Sequence, residues 1–107
     1  MGVISAIGNS VAENHLALKD GICGIKYELD LFPSKYAGKL PFGQVQLSNS
    51  ELINKLQITE SGVTRTTMLA MHAFNEAVAD SGISPDDISS FDTALVAANT
   101  VGGMCLT

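Results

Sequence analysis

From Val63 to about Ser81 the chain carries Met68, Leu69, Ala70, Met71, Ala73, Phe74, Ala77 and Val78, apolar positions that cover more than one face of a predicted helix. A helix open to water on one side keeps its apolar residues to a single stripe. This segment is therefore expected to be largely buried, and it demands other layers to cover it. Gly82 supplies the left-handed position that commonly closes a helix, and Ser84-Pro85-Asp86-Asp87 follows with an N-cap, a proline at the first helical position and an acidic first turn. That start is expected to give only a brief turn.

The rest of the chain is organised around the long helix by local signals. Met1 to Gly8 is a short apolar alternation that runs into Gly8-Asn9 and reads as the end of a strand. Ser10 stands three residues before Glu13, a capping-box spacing, and predicts a helix from about Val11 to Asp20 that Gly21 ends. Its apolar stripe is read as Val11, His15 and Leu18, with Ala12 and Leu16 beside it. Glycines and prolines recur between Gly21 and Gln46 and favour loops and short extended pieces; only Lys39 to Leu47 alternates enough for a strand. A second capping box, Ser48 to Glu51, opens a short helix holding Leu52, Ile53 and Leu56.

The run Thr93-Ala94-Leu95-Val96-Ala97-Ala98 is apolar without alternation, as expected of a strand covered on both faces in an α/β layer architecture. The helix propensity of its alanines argues the other way. Strand, helices and a terminal Gly102-Gly103 loop together give an α/β class, with helices packed on a small sheet. Met104-Cys105-Leu106 would begin a further helix.

Composition narrows the function classes. A chain of 107 residues with 46% hydrophobic content can bury one core. No stretch approaches the roughly 20 apolar residues of a membrane span, and no basic region followed by an apolar run marks a secretory signal. The net charge is −5 and the six Lys and Arg are scattered singly, so no basic stripe is available for a phosphate backbone and nucleic acid is not an expected partner. Cys23 and Cys105 lack a zinc or disulfide-framework spacing, which fits a reducing, cytoplasmic setting.

No catalytic set assembles from spacing alone. Either cysteine would need a nearby histidine, cation or helix N-terminus to become a nucleophile; both are read as small buried fillers. His15 and His72 lack the second ligand of a pattern such as HExxH and are read as solvated or hydrogen-bonded histidines. Asp86 and Asp87 are helix-start charges. Asn99-Thr100-Val101-Gly102-Gly103 lacks GxGxxG and the P-loop Lys-Ser/Thr, so the glycine pair is read as a tight strand-to-helix turn.

The order of the pieces carries more than any one of them. Gly2-Val3-Ile4-Ser5-Ala6-Ile7-Gly8-Asn9-Ser10-Val11, then Leu18-x-x-Gly21-x-x-Gly24-Ile25, resembles the start of the β-ketoacyl-acyl-carrier-protein synthases of the thiolase-like superfamily. Tyr36-Ala37-Gly38 resembles the next extended segment of that family, Arg65 to Ala79 its long buried helix, Asp80-Ser81-Gly82-Ile83 the exit from that helix, and Val101-Gly102-Gly103-Met104 the loop after the next strand. The chain departs from the family at Asn99-Thr100, where many members carry a Ser-Gly pair, and it lacks the first half of the opening strand.

The resemblance implies a partial thiolase-like fold, the N-terminal part of one αβαβα-type half, with residues 1–107 an N-terminal ketosynthase segment truncated at both ends. The full enzyme would be an acyltransferase of fatty-acid or polyketide-type synthesis, working with acyl carrier protein and without metal or nucleotide cofactor. In that family an acyl chain is loaded onto a cysteine, and a decarboxylated malonyl carrier protein attacks the thioester. The family's nucleophile lies beyond Thr107, so neither Cys23 nor Cys105 inherits its role, no catalytic residue is assigned, and the segment alone is expected to be inactive. Val101 resembles a family position lining the acyl pocket; packing beneath the turn is the other reading of it. The alternative to a synthase segment is a non-catalytic module that binds a carrier protein or partner subunit. Apolar surface left uncovered on the long helix and on residues 93–98 would favour self-association or a homo-oligomer.

Overall fold

The computed structural model describes residues 1–100. In chain order they form α1 (Val11–Lys19), β1 (Ile25–Lys26), β2 (Phe42–Gly43), α2 (Asn49–Leu56), α3 (Arg65–Ser81) and α4 (Pro85–Ile88). This is an α/β arrangement of four helices and a two-stranded antiparallel sheet, in which Ile25 pairs with Gly43 and Lys26 with Phe42. None of the helices in the described residues is long and apolar enough to cross a membrane.

Every helix starts on a hydroxyl side chain. Ser10, Ser48, Thr64 and Ser84 each occupy an extended N-cap and accept from the backbone N–H three residues on, satisfying a donor that the helix itself leaves free. At α2 the capping box is reciprocal: Glu51 also accepts from the Ser48 N–H at 2.7 Å. Those bonds hold the Glu51 carboxyl below its ordinary pKa. At α1 the return half is displaced by one residue, since Glu13 takes the Asn9 N–H at 2.6 Å. Gly21 and Gly82 end α1 and α3 at φ 68° and 70°, a conformation that costs glycine nothing sterically. The α2 cap is a departure, because Gln57 adopts the left-handed conformation at φ 54°.

The core lies between α2 and α3, which pack on each other. Leu52 of α2 is 0% exposed and Met68 of α3 is 2% exposed. Arg65 fixes the start of α3. Its guanidinium donates to Asn49 Oδ1 at 2.9 Å and to the Val45 carbonyl at 3.1 Å, and it stacks 4.8 Å from the Phe32 ring centre. Burial lowers its pKa from the ordinary guanidinium value. The Cα radius of gyration is 15.7 Å, against about 13 Å for a compact domain of this length.

The structure corrects several sequence expectations. Residues 93–99 form no strand; they are extended and exposed, with Leu95 75% accessible. An interior strand needs a ladder partner and a layer on each face, and among the described residues the only sheet is β1 with β2, which this segment does not join. The expected strand over Lys39–Leu47 shrinks to Phe42–Gly43, with Pro41 before it and the Gln44 side chain turned to the Leu31 N–H. Met1–Gly8 forms no strand end; it closes on itself through a Ser5–Gly8 bridge. The apolar stripe of α1 is also misplaced. Asn14 and Ala17 are the buried residues, whereas Leu16 and Leu18 are exposed, because the Asn14 side chain closes the preceding turn onto the helix. Finally, α3 is buried only at Met68 and His72, and Met71 and Phe74 face outward.

Candidate functional site

Among the concavities that border α3 in the described residues, two bear on function. The first, of about 370 Å³, is polar and is lined by Asn9, Ser10, Lys55, Leu56, His72, Asn75 and Glu76. The N-terminal end of α1, the last turn of α2 and the middle of α3 build it. His72 is buried, and its Nε2–H donates to the Asn9 carbonyl at 2.7 Å. This is the hydrogen-bonded histidine expected from the sequence. One turn further, Glu76 accepts from the Val3 N–H at 2.9 Å and the Val11 N–H at 2.7 Å. Those two bonds, Val11 first, hold its carboxyl below the ordinary 4.5. One turn beyond, Asp80 receives the N-terminal ammonium at 2.6 Å. Both partners of this last pair are well exposed, where such pairs contribute little.

These commitments decide what the polar cleft can do. Backbone bonds hold both oxygens of Glu76 and Nε2 of His72 in place, although each carboxylate oxygen keeps a second lone pair. The arrangement fastens the N-terminal segment to α3; it presents no nucleophile with an adjacent base. Sequence reasoning missed Glu76. A lone glutamate on a predicted helix carries no local signal that its partners lie 65 and 73 residues away.

The second concavity, of about 540 Å³, is an apolar groove between the outer face of α3 and the extended segment after α4. Met71 and Phe74 meet Leu95 and Ala97 there, with Thr66 and Thr67 at one end. The groove is built from the apolar positions that the sequence analysis expected to be covered. Val101, the candidate acyl-pocket residue, lies outside the described residues, as do Gly102, Gly103 and Cys105. Among the described residues Asn99 also lines the groove.

The remaining candidates scatter. Cys23 is exposed, not the buried filler expected, and its Sγ reaches only the Ile25 carbonyl at 3.9 Å. It sits where the glycine-rich turn after α1 comes to the surface, so its neighbours cannot enclose it. His15 is exposed on α1. Asp86 and Asp87 occupy the first turn of α4, the latter bound by Ser84 Oγ at 2.8 Å. Among the described residues no group of three or more His, Cys, Asp and Glu is gathered to hold a metal ion.

Comparison with known proteins adds a distant likeness. The chain is 26% identical over 103 residues to 3-oxoacyl-[acyl-carrier-protein] synthase 1 of Escherichia coli strain K12. It matches the protein of the same name from Escherichia coli O6:H1 to the same extent. The match takes in 96% of this chain but 25% of each relative, so the chain spans about a quarter of their length. No protein-family model matches the chain, and no solved structure matches it.

Proposed function

We propose that these residues are the N-terminal segment of a β-ketoacyl-acyl-carrier-protein synthase domain, with a partial thiolase-like α/β fold. The observation that carries this reading is the extent of the likeness, which runs through 96% of the chain. The whole enzyme would be a cytoplasmic acyltransferase that condenses an acyl thioester with malonyl carrier protein by decarboxylation, taking acyl carrier protein as partner. Val101 would line its acyl pocket and limit chain length by occupying volume. The acyl-carrying cysteine is expected beyond Thr107, and the 107 residues alone are expected to be inactive. The apolar groove beside α3 supports the reading, since a helix apolar on two faces calls for a second layer. In isolation that surface would favour self-association.

The test is to sequence the reading frame past Thr107. An Asp-x-x-Cys-type segment is expected downstream; a stop codon directly after Thr107 would leave a non-catalytic module as the better reading. In parallel, the chain is incubated with an acyl carrier thioester and weighed intact. Unchanged mass is expected, and a stable acyl adduct on Cys23 or Cys105 would refute the assigned inactivity.

A further inference from the structure

Residues 1–19 hold together through bonds that do not involve α3. The Asn14 side-chain amide donates to the Gly8 carbonyl at 3.0 Å and the Ser10 carbonyl at 2.8 Å, and Ser5 Oγ donates to Asn14 Oδ1 at 2.5 Å. Glu13 takes the Asn9 N–H, and Ser5 and Gly8 close a bridge. Among the described residues α1 packs on no other helix. Its position relative to α3 is set from its N-terminal end, where the Glu76 carboxylate accepts from Val11, the first residue of α1, and from Val3, beside the His72–Asn9 bond and the Met1–Asp80 pair. A side chain of one helix thus satisfies a free donor at the start of another, where negative charge is favoured.

We propose that residues 1–19 form a latch on α3, held shut by the Glu76 carboxylate and opened when that carboxylate takes up a proton, while α2 and α3 stay paired. The charged and titratable groups around Glu76 come from every element that meets it. The α-amino group of Met1 belongs to the N-terminal segment, Glu13 to α1, Lys55 to α2, and His72 and Asp80 to α3 itself. The Glu13 carboxylate is occupied by the Asn9 N–H. His72 donates through Nε2–H whether neutral or protonated, so acid does not break its bond to Asn9. Glu76 is different, because protonation removes acceptor strength from both its amide bonds at once. Its folded pKa lies below its ordinary 4.5. The latch stabilisation is therefore complete above the unfolded pKa and is lost as pH falls through the folded one. The latch is shut at neutral pH and opens in acid.

Amide hydrogen exchange on the full chain, followed by NMR from about pH 7 to about pH 3 and corrected for intrinsic rates, tests this. The protection of the Val3 and Val11 amides is expected to fall together below the ordinary carboxylate range while the amides of α3 keep theirs. In Glu76→Gln the two amides should be about tenfold less protected at neutral pH and show no acid step; Asp80→Asn should keep the step. The proposal is overturned if Glu76→Gln retains the acid step, if Asp80→Asn abolishes it, or if α2 and α3 lose protection by the same factor as Val3 and Val11.

Discussion

Leu52→Ala probes the core most directly. Leu52 is the one large side chain among the described residues with no exposure at all, and it sits on the face of α2 that packs on α3. Removing a buried leucine to alanine costs about 2–5 kcal/mol, the upper values going to sites that cannot collapse around the cavity. Here Leu52 shares the buried apolar core with only Met68 and Ala17, and α2 is eight residues long, so some collapse is expected and the loss is set at about 3 kcal/mol. A domain of this length is stabilised by roughly 5–15 kcal/mol, and the large radius of gyration places this chain toward the low end. With a urea slope of about 1.5 kcal/mol per molar, the midpoint should drop by about 2 M in an unfolding curve followed by far-UV circular dichroism. The control is Leu16→Ala, whose side chain is 56% exposed and whose loss should stay within about 0.5 kcal/mol. If the two substitutions shift the midpoint equally, or Leu52→Ala shifts it by less than about 0.3 M, the α2–α3 interface is not the stabilising core.

Gly2→Ala should loosen the N-terminal segment, because a Cβ there would lie 1.8 Å from the Ala73 carbonyl oxygen and 2.9 Å from the Ala77 nitrogen; a loss of about 1–3 kcal/mol in the same urea assay is expected, and an unchanged midpoint would refute the close approach. Gln57→Gly should stabilise, since a non-glycine residue in the left-handed conformation costs roughly 1–2 kcal/mol, part of which glycine's larger unfolded-state entropy takes back; a thermal midpoint that does not rise tells against the strained cap. Size exclusion with light scattering should give a mass above the 11.2 kDa monomer at high concentration, and Phe74→Ser, at a side chain 43% exposed, should return it toward the monomer. A wild-type monomer at all concentrations would remove self-association from the reading.

What the sequence made legible is what the chain decides within a few residues. The N-caps at Ser10, Ser48 and Ser84, the proline start of α4 and the glycine ends at Gly21 and Gly82 all rest on partners three to five positions away, and all are present. Thr64, which caps α3, is readable by the same rule, one residue after the start at Val63 that the apolar pattern suggests. Most of the misreadings concern distant partners; the one at Asn14 concerns carbonyls four and six residues away. A short apolar run cannot say whether a neighbouring strand exists, so residues 93–98 carried a strand's composition without a strand's surroundings. Asn14 carries no sign that its amide will bind two carbonyls of the preceding turn in place of an apolar contact. In the candidate site, His72 was anticipated as a hydrogen-bonded residue, but Glu76 and the guanidinium bonds of Arg65 depend on partners 16 to 73 residues away.

The exposure of α3 follows from the same distinction. Its sequence is apolar on two sides, and each side meets something different. One side receives α2 through Met68, and the N-terminal backbone through Ala73 and Ala77, where only glycine at position 2 allows the approach. The other side, Met71 and Phe74, meets Leu95, Ala97 and Asn99 across an open groove among the described residues. An extended segment without a ladder cannot cover a helix face as a sheet does, because it supplies one row of side chains and leaves its own second face in water. The prediction of burial is thus a statement about how much covering the helix requires, and the described residues cover Met68 and His72 but leave Met71 and Phe74 exposed. A second layer over the groove would bury Met71, Phe74, Leu95 and Ala97 together.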